Sequence, residues 1–260
     1  EDKSNGATDR ILRYFLKYPK TIISHREIMV IAGISEWARR VRELRKNFGW
    51  AIISGRTAVE MQKIGDLEPG DDLPDCSGMQ PDEYIMFDTN QDREAAFRWK
   101  IANDIRRKKK GARQKILEYL QTNVGKQIQG DELRYVANNR TEWARRVREL
   151  RTEDGWPIST HWNGRPELPT GVYVLEKERQ LPSHDRTIPD EIRRAVLRRD
   201  SYACSKCGWS RQEWTKDDPR HLEVHHLKEH QHRGANEPEN LTVLCNICHD
   251  RIHRKSNSLK

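Results

Sequence analysis

The sequence predicts an α+β multidomain chain: two tandem modules of three helices and two strands, then a small domain stapled by four cysteines. Three observations carry this. Residues 36–45, Glu-Trp-Ala-Arg-Arg-Val-Arg-Glu-Leu-Arg, recur letter for letter as residues 142–151, so one unit is used twice. Near the C-terminus two Cys-x-x-Cys pairs, Cys204 with Cys207 and Cys245 with Cys248, have the spacing that presents thiolates to structural zinc. The composition is lean for one large core and suits several small ones, since 35% of the 260 residues are hydrophobic and 34% charged.

In the first module, Ile11, Tyr14, Phe15 and Tyr18 fall at helical spacing, and Pro19 ends that helix. Ser24 with Glu27 three residues on is a capping box opening a short helix to about Ala32, and Gly33 makes the turn. Ser35 is then expected to cap the repeated helix, as Thr141 would in the second copy. Residues 50–54 and 84–87 read as strands, matched in the second copy by 156–160 and 171–175. The likeness of the copies runs past the ten letters: Ile11-Leu-Arg-Tyr answers Ile116-Leu-Glu-Tyr, and Gly49-Trp50 answers Gly155-Trp156. Residues 65–83 carry seven acids, three prolines and no Lys or Arg, which reads as a long mobile wing loop. Three helices followed by a hairpin resemble a winged helix-turn-helix, a fold that implies DNA binding.

The repeated helix has two faces. At about 100° per residue, Trp37, Val41, Leu44 and Phe48 form one stripe, as do Trp143, Val147 and Leu150, and these read as core. Opposite lie Ser35, Arg39, Arg42 and Lys46, and in the second copy Thr141, Arg145, Arg148 and Thr152. These eight are the base-reading candidates, because arginine on a helix in the major groove pairs with guanine O6 and N7. Arg40 and Arg146 are explained instead by pairs along the helix, such as Glu36 with Arg40, while Glu36 and Glu142 offer acceptors for a cytosine amino group. Residues 91–113 read as a helix ending in the run from Arg106 to Lys110, suited to tracking phosphate. A net charge of +8 and a pI near 9.3 favour a polyanionic partner.

The C-terminal stretch interleaves a second set with the cysteines: His225, His226, Asn240, His249 and His253. His249 and His253 are four apart and share a helix face, so they can hold one ion. His225 and His226 are adjacent; on a strand they point to opposite faces, so one can bind metal while the other takes a proton. The four cysteines alone would fit an inert zinc knuckle, which would not need these histidines and the asparagine. The ordered set, with the lead-in from Ile192 to Cys204, resembles the HNH or ββα-metal nuclease family over about residues 186–255. That resemblance implies His226 as general base and His225, His249 and His253 as metal ligands. It also implies Asn240 as the brace of the loop between two strands. Where many members have Asp, this chain has His225, which looks more like the colicin-type nucleases. His230 and His232 read as solvated or near DNA.

The expected organisation is a DNA-reading domain over 1–90, a basic linker helix over 91–110 and a second reading domain over 111–178. A linker over 179–189 leads to the nuclease domain over 190–260. The expected activity is sequence-specific double-stranded DNA cleavage of the restriction type, with structural Zn2+, a catalytic Mg2+ or Mn2+, and a homodimer for double-strand breaks. A homing or nicking enzyme and a non-catalytic zinc-containing regulator are the alternatives. Five cysteines, with Cys76 outside the zinc set, fit a reducing compartment. No apolar run approaches membrane-spanning length and no signal peptide is visible, so the expectation is the prokaryotic cytoplasm.

Overall fold

The computed structural model describes residues 6–70, 72–181, 188–215, 218–228 and 235–257, with side chains of the final helix described as far as Ile252. It is a mixed α+β structure of helices and small sheets. Two compact units are present, and the line between them passes through the second copy of the repeat. One holds Glu1–Tyr119, Ile128–Arg146 and Pro169–Gly171; the other holds Leu120–Gln127, Val147–Leu168 and Val172–Lys260.

In the first unit, α1 (Ala7–Lys17) buries Ile11 and Phe15. The capping box opens α2 (His25–Ala32): the Ser24 hydroxyl accepts from the Glu27 amide and Glu27 accepts from the Ser24 amide. Gly33, at φ 61°, closes it. The repeated helix α3 (Trp37–Lys46) buries Val41 and Leu44. Its start departs from expectation. Glu36 is the N-cap, no side chain caps it, and the Glu36 carbonyl accepts from the Arg39 and Arg40 amides. The first turn therefore closes one residue later than a Ser35 cap requires. The second copy does the same, with α8 (Trp143–Thr152) starting from the Glu142 carbonyl rather than at Thr141. Phe48 lies past the end of α3 and is 47% exposed, so it leaves the core stripe.

β1 (Ile52–Ser54) pairs antiparallel with β2 (Tyr84–Met86), Ile53 opposite Ile85. The two do not form a simple hairpin, because α4 (Gly55–Lys63) intervenes and buries Thr57, Ala58 and Met61. The acidic stretch that follows is packed down rather than a free wing. Leu67, Cys76 and Met79 are buried. Gln62 donates to Asp75 and accepts from the Cys76 amide. Next come α5 (Ala95–Arg107), α6 (Ala112–Thr122), β3 (Ile128–Gln129) and α7 (Gly130–Val136). Two acids at the start of α7 organise this unit. Asp131 meets Arg45 at 2.6 Å and accepts from the Thr57 hydroxyl at 2.5 Å. Glu132 accepts from Arg98 at 2.9 Å and from the Tyr119 hydroxyl at 2.5 Å. Burying an ionised carboxylate unpaired would cost several kcal/mol, so these partners are a condition of the packing.

In the second unit, β4 (Ile158–Ser159) pairs antiparallel with β5 (Val172–Leu175). Arg151, the last letter of the repeat, forms a two-pronged pair with Asp190 at the head of α9 (Asp190–Arg199). Burial would raise that carboxyl, but the charge and hydrogen bonds of Arg151 outweigh it and hold Asp190 below its ordinary range. The unit ends in β6 (Leu222–His226), β7 (Leu241–Cys245) and α10 (Asn246–Asn257), the strands antiparallel with His225 opposite Thr242.

Both repeated helices are followed, three residues past their last helical residue, by a left-handed glycine, Gly49 at φ 73° and Gly155 at φ 70°. A Cβ on Gly49 would also lie 1.7 Å from the Asp92 carbonyl oxygen. Gly49→Ala is therefore expected to cost more than about 1 kcal/mol. Gly70→Ala, where nothing lies within 4 Å of an added Cβ, should stay within about 0.5 kcal/mol. Urea melts of the two variants make the comparison.

Candidate functional site

The cysteines converge. The Sγ atoms of Cys204, Cys207, Cys245 and Cys248 all lie within 4.8 Å of one another, and Cys207 and Cys245 are 3.9 Å apart. Four sulfurs on arms of about 2.3 Å around one tetrahedral ion would be separated by roughly 3.8 Å, so the cluster suits zinc. Local backbone builds it. The Gly208 amide donates to the Cys204 carbonyl and the Cys204 amide to the Trp209 carbonyl, a tight knuckle turned by Gly208 at φ 75°. Burial raises the Cys204 thiol, but the amides of Cys245, Cys207 and Lys206 outweigh this and bring it down to about 7. Burial first, and then the Cys248 side chain and the charge of Cys204, push Cys245 up to about 12 against the Cys248 amide. Several thiolates cannot share this volume without a cation, which is what zinc supplies.

The cluster fixes two elements of the candidate active site. Cys245 ends β7, and Cys248 lies in the first turn of α10 with its amide toward Cys245 Sγ. Asn246, between them, takes the His221 amide on its side-chain oxygen and gives its own amide to the His221 carbonyl. The start of β6 is thereby pinned to the start of α10. From the other side, the Asp200 carboxylate accepts the Val243 amide, and Arg199 donates to the Leu241 carbonyl.

On this frame His225 and His249 meet, Nδ1 to Nε2 at 3.1 Å. Two nitrogens on arms of about 2.0–2.1 Å would stand roughly 2.9–3.4 Å apart around one ion, so this pair fits a shared cation. Beneath them sits Glu223. One oxygen lies 2.6 Å from His249 Nδ1; the other is 2.8 Å from His221 Nε2 and 2.8 Å from Lys177 Nζ. With Nδ1 protonated toward Glu223, His249 turns the lone pair of Nε2 toward His225. Burial would raise the Glu223 carboxyl, but the hydrogen bonds of His221 and His249 and the charge of Lys177 outweigh it and hold it well below the usual range. Glu223, His221 and Lys177 carried no role in the sequence reading, although residues 221, 223 and 225 share one strand face by their two-residue period.

His226 points the other way, its Nε2 2.8 Å from Asn236 Oδ1. It is 1% exposed, so it is a held and covered ring in this state, not one standing open to solvent. With Nε2 donating to Asn236, the ring lone pair falls on Nδ1. Asn240 ties the segment between the strands: its amide donates to the Lys228 and Ala235 carbonyls and its oxygen accepts the Lys228 amide. His253 lies within α10, but its side chain falls outside the described residues, as do His230 and His232 altogether.

The base-reading candidates divide. Arg42, Arg145 and Arg148 are exposed, as are Ser35 and Thr141. Arg39 is exposed and engages Glu43 at 3.1 Å. Arg40 also pairs with Glu43 rather than with Glu36, because Glu36 sits at the cap; in the second copy Arg146 does pair with Glu142. Thr152 gives its hydroxyl to the Arg148 carbonyl. Lys46 is withdrawn from the outward face. Its ammonium lies 4.5 Å from the Trp99 ring centroid and 4.1 Å from that of Tyr135. Burial and then the charges of Arg45, Arg42 and Arg106 bring it down to about 8.

A family model described as the KpnI N-terminal domain matches residues 8–87 and 113–176, more than half of the 260 residues. The chain belongs to this family. A second model, HNH endonuclease, matches residues 204–255, the span of the cysteine cluster and both strands. No curated protein and no solved structure matches the chain. With these domains the protein is a restriction-type HNH nuclease, a metal-dependent enzyme whose substrate is DNA. No helix among the described residues is long and apolar enough to cross a membrane.

Replacing Cys207 by Ser should remove about one zinc per chain, measured by release to a chromogenic chelator. It should also lower the thermal transition of the second unit, since structural zinc contributes folding free energy outright.

Proposed function

We propose that the protein is a sequence-specific double-stranded DNA endonuclease in which two winged-helix-type modules, over 1–90 and 111–178, choose the site. The domain over 190–260 cuts it. The observation that carries this reading is the pair of imidazole nitrogens 3.1 Å apart, braced by a buried carboxylate, on a strand whose next residue, His226, faces the other way. In the proposed reaction His226 Nδ1 takes a proton from water, a new oxygen–phosphorus bond forms, and the bond to the 3′ oxygen breaks. That oxygen then takes a proton from solvent, leaving a 5′-phosphate and a 3′-hydroxyl. Asn240 holds the loop that presents His226, and Glu223 holds His249. A divalent cation, Mg2+ or Mn2+, on His225, His249 and His253 would supply positive charge against the phosphate as charge develops.

Arg39, Arg42, Arg145 and Arg148 are the proposed base readers, with Ser35, Thr141 and Thr152 beside them. Identical reading helices suit a target with repeated or palindromic elements. One cutting site per chain opens one strand, so a double-strand break calls for a homodimer or two successive events. Whether the site carries modified cytosine is read from the same assay.

His226→Ala is expected to abolish cleavage while leaving specific duplex binding intact. Genomic DNA, methylated and unmethylated, with sequencing of the ends, gives the site and the stagger. Cleavage by the variant at the wild-type rate would remove His226 as the base.

A further inference from the structure

The buried carboxylate beneath the two imidazoles is held in part from outside its own domain. Glu223 lies on β6, and two of its partners, His221 and His249, fall within the stretch matched to the HNH model. The third, Lys177, stands two residues past the end of β5. It lies between the matched stretches, one ending at 176 and the next beginning at 204. The backbone here is fixed on both sides. The Glu176 amide donates to the Pro157 carbonyl at 2.9 Å, and the Leu181 amide to the Gly155 carbonyl at 2.7 Å. The run from 176 to 181 is thus laid along the chain that leads into β4.

From this run two cations reach the elements that carry the candidate ligands. Lys177 Nζ stands 2.8 Å from Glu223 on β6, the strand of His225. The Arg179 guanidinium meets Asp250, the residue after His249 on α10. The geometry gives Lys177 a definite task. It and His221 both approach the same oxygen of Glu223, each at 2.8 Å, while the other oxygen lies 2.6 Å from His249 Nδ1. A carboxylate gripped at one oxygen from two directions cannot swing the other away without giving up those contacts. An outer carboxylate fixes the tautomer and ring angle of a ligating histidine, so the grip on the first oxygen sets where His249 Nε2 points.

We propose that Lys177 is a positioning residue of the metal site, holding Glu223 so that His249 Nε2 and His225 Nδ1 converge on one divalent ion; this rests on the ligand reading above. Arg179 steadies α10 from the same run. The stretch matched to the HNH model lacks one of the groups that shape its own site, and the chain leaving β5 supplies it.

The test uses the full chain with its zinc and follows Mn2+ binding, without DNA, by loss of the electron paramagnetic resonance signal of free Mn2+. Lys177→Met should weaken Mn2+ binding about tenfold, the low end of the loss on removing an outer-shell partner. In cleavage assays the loss should fall mainly on the Mn2+ concentration for half-maximal rate. Val172→Ala, in the apolar cluster of Leu168, Val172 and Val174, is the destabilised comparison. It should lower the thermal transition and leave Mn2+ binding within about twofold of wild type. Mn2+ binding by Lys177→Met within that same range overturns the proposal, and so does an equal loss in Val172→Ala. If Lys177→Met melts early, Lys177→Gln, whose shorter amide falls short of Glu223, is read by the same outcomes. A wild-type chain that binds no Mn2+ removes the ligand reading itself. A wild-type chain that binds, with Lys177→Met binding equally well, removes the positioning role alone.

Discussion

A carboxylate buried under two imidazoles organises the C-terminal site. Glu223 is ionised in a place where an unpaired charge would cost several kcal/mol, and it is tolerated because Lys177, His221 and His249 surround it. That arrangement depends on the two-residue period of β6. Residues 221, 223 and 225 fall on the face toward α10, and His226 falls on the other. A slip of one residue in the β6–β7 register would exchange the faces and dissolve the site. The cysteine cluster and Asn246 fix the end of β7 and the start of α10, so the register and the helix origin are set within one short run of chain.

The duplicated helix shows how the same ten letters are used differently by their surroundings. Its last arginine closes on a carboxylate from elsewhere in both copies, half-buried Arg45 on Asp131 and buried Arg151 on Asp190. Its tryptophan is fully buried in the second copy but half-buried in the first, where Trp37 lies beside His25 and Tyr84. The open part of the helix is accordingly narrower than its outward arc. Lys46 is held between Trp99 and Tyr135, and Arg39 is engaged by Glu43.

Local chemistry was legible in the sequence. The capping box at Ser24 and Glu27, the glycine turn at Gly33 and the cysteine spacing all follow from residues a few positions apart, while the strand–strand–helix order from Leu222 onward came with the resemblance to the HNH family. What was hidden depends on partners far along the chain. Asp131, Glu132 and Asp190 look like ordinary surface acids until Arg45, Arg98 and Arg151 close on them. Helix α4 was missed because its apolar positions, Ala58 and Met61, are few and follow directly on a strand. The acidic stretch after it looked free because its charges were plain, while the residues that bury it, Leu67, Cys76 and Met79, are sparse. The Ser35 cap failed by one residue, an ordinary error at a helix boundary.

The central claim is that His225 and His249 hold one ion between them, above Glu223. Anomalous diffraction at the manganese edge, from crystals of the protein grown with Mn2+, tests it most directly. The account expects a manganese peak within about 2.3 Å of both His225 Nδ1 and His249 Nε2, separate from the zinc among the four cysteines. Manganese bound elsewhere, with the two rings still bonded only to protein, would contradict it.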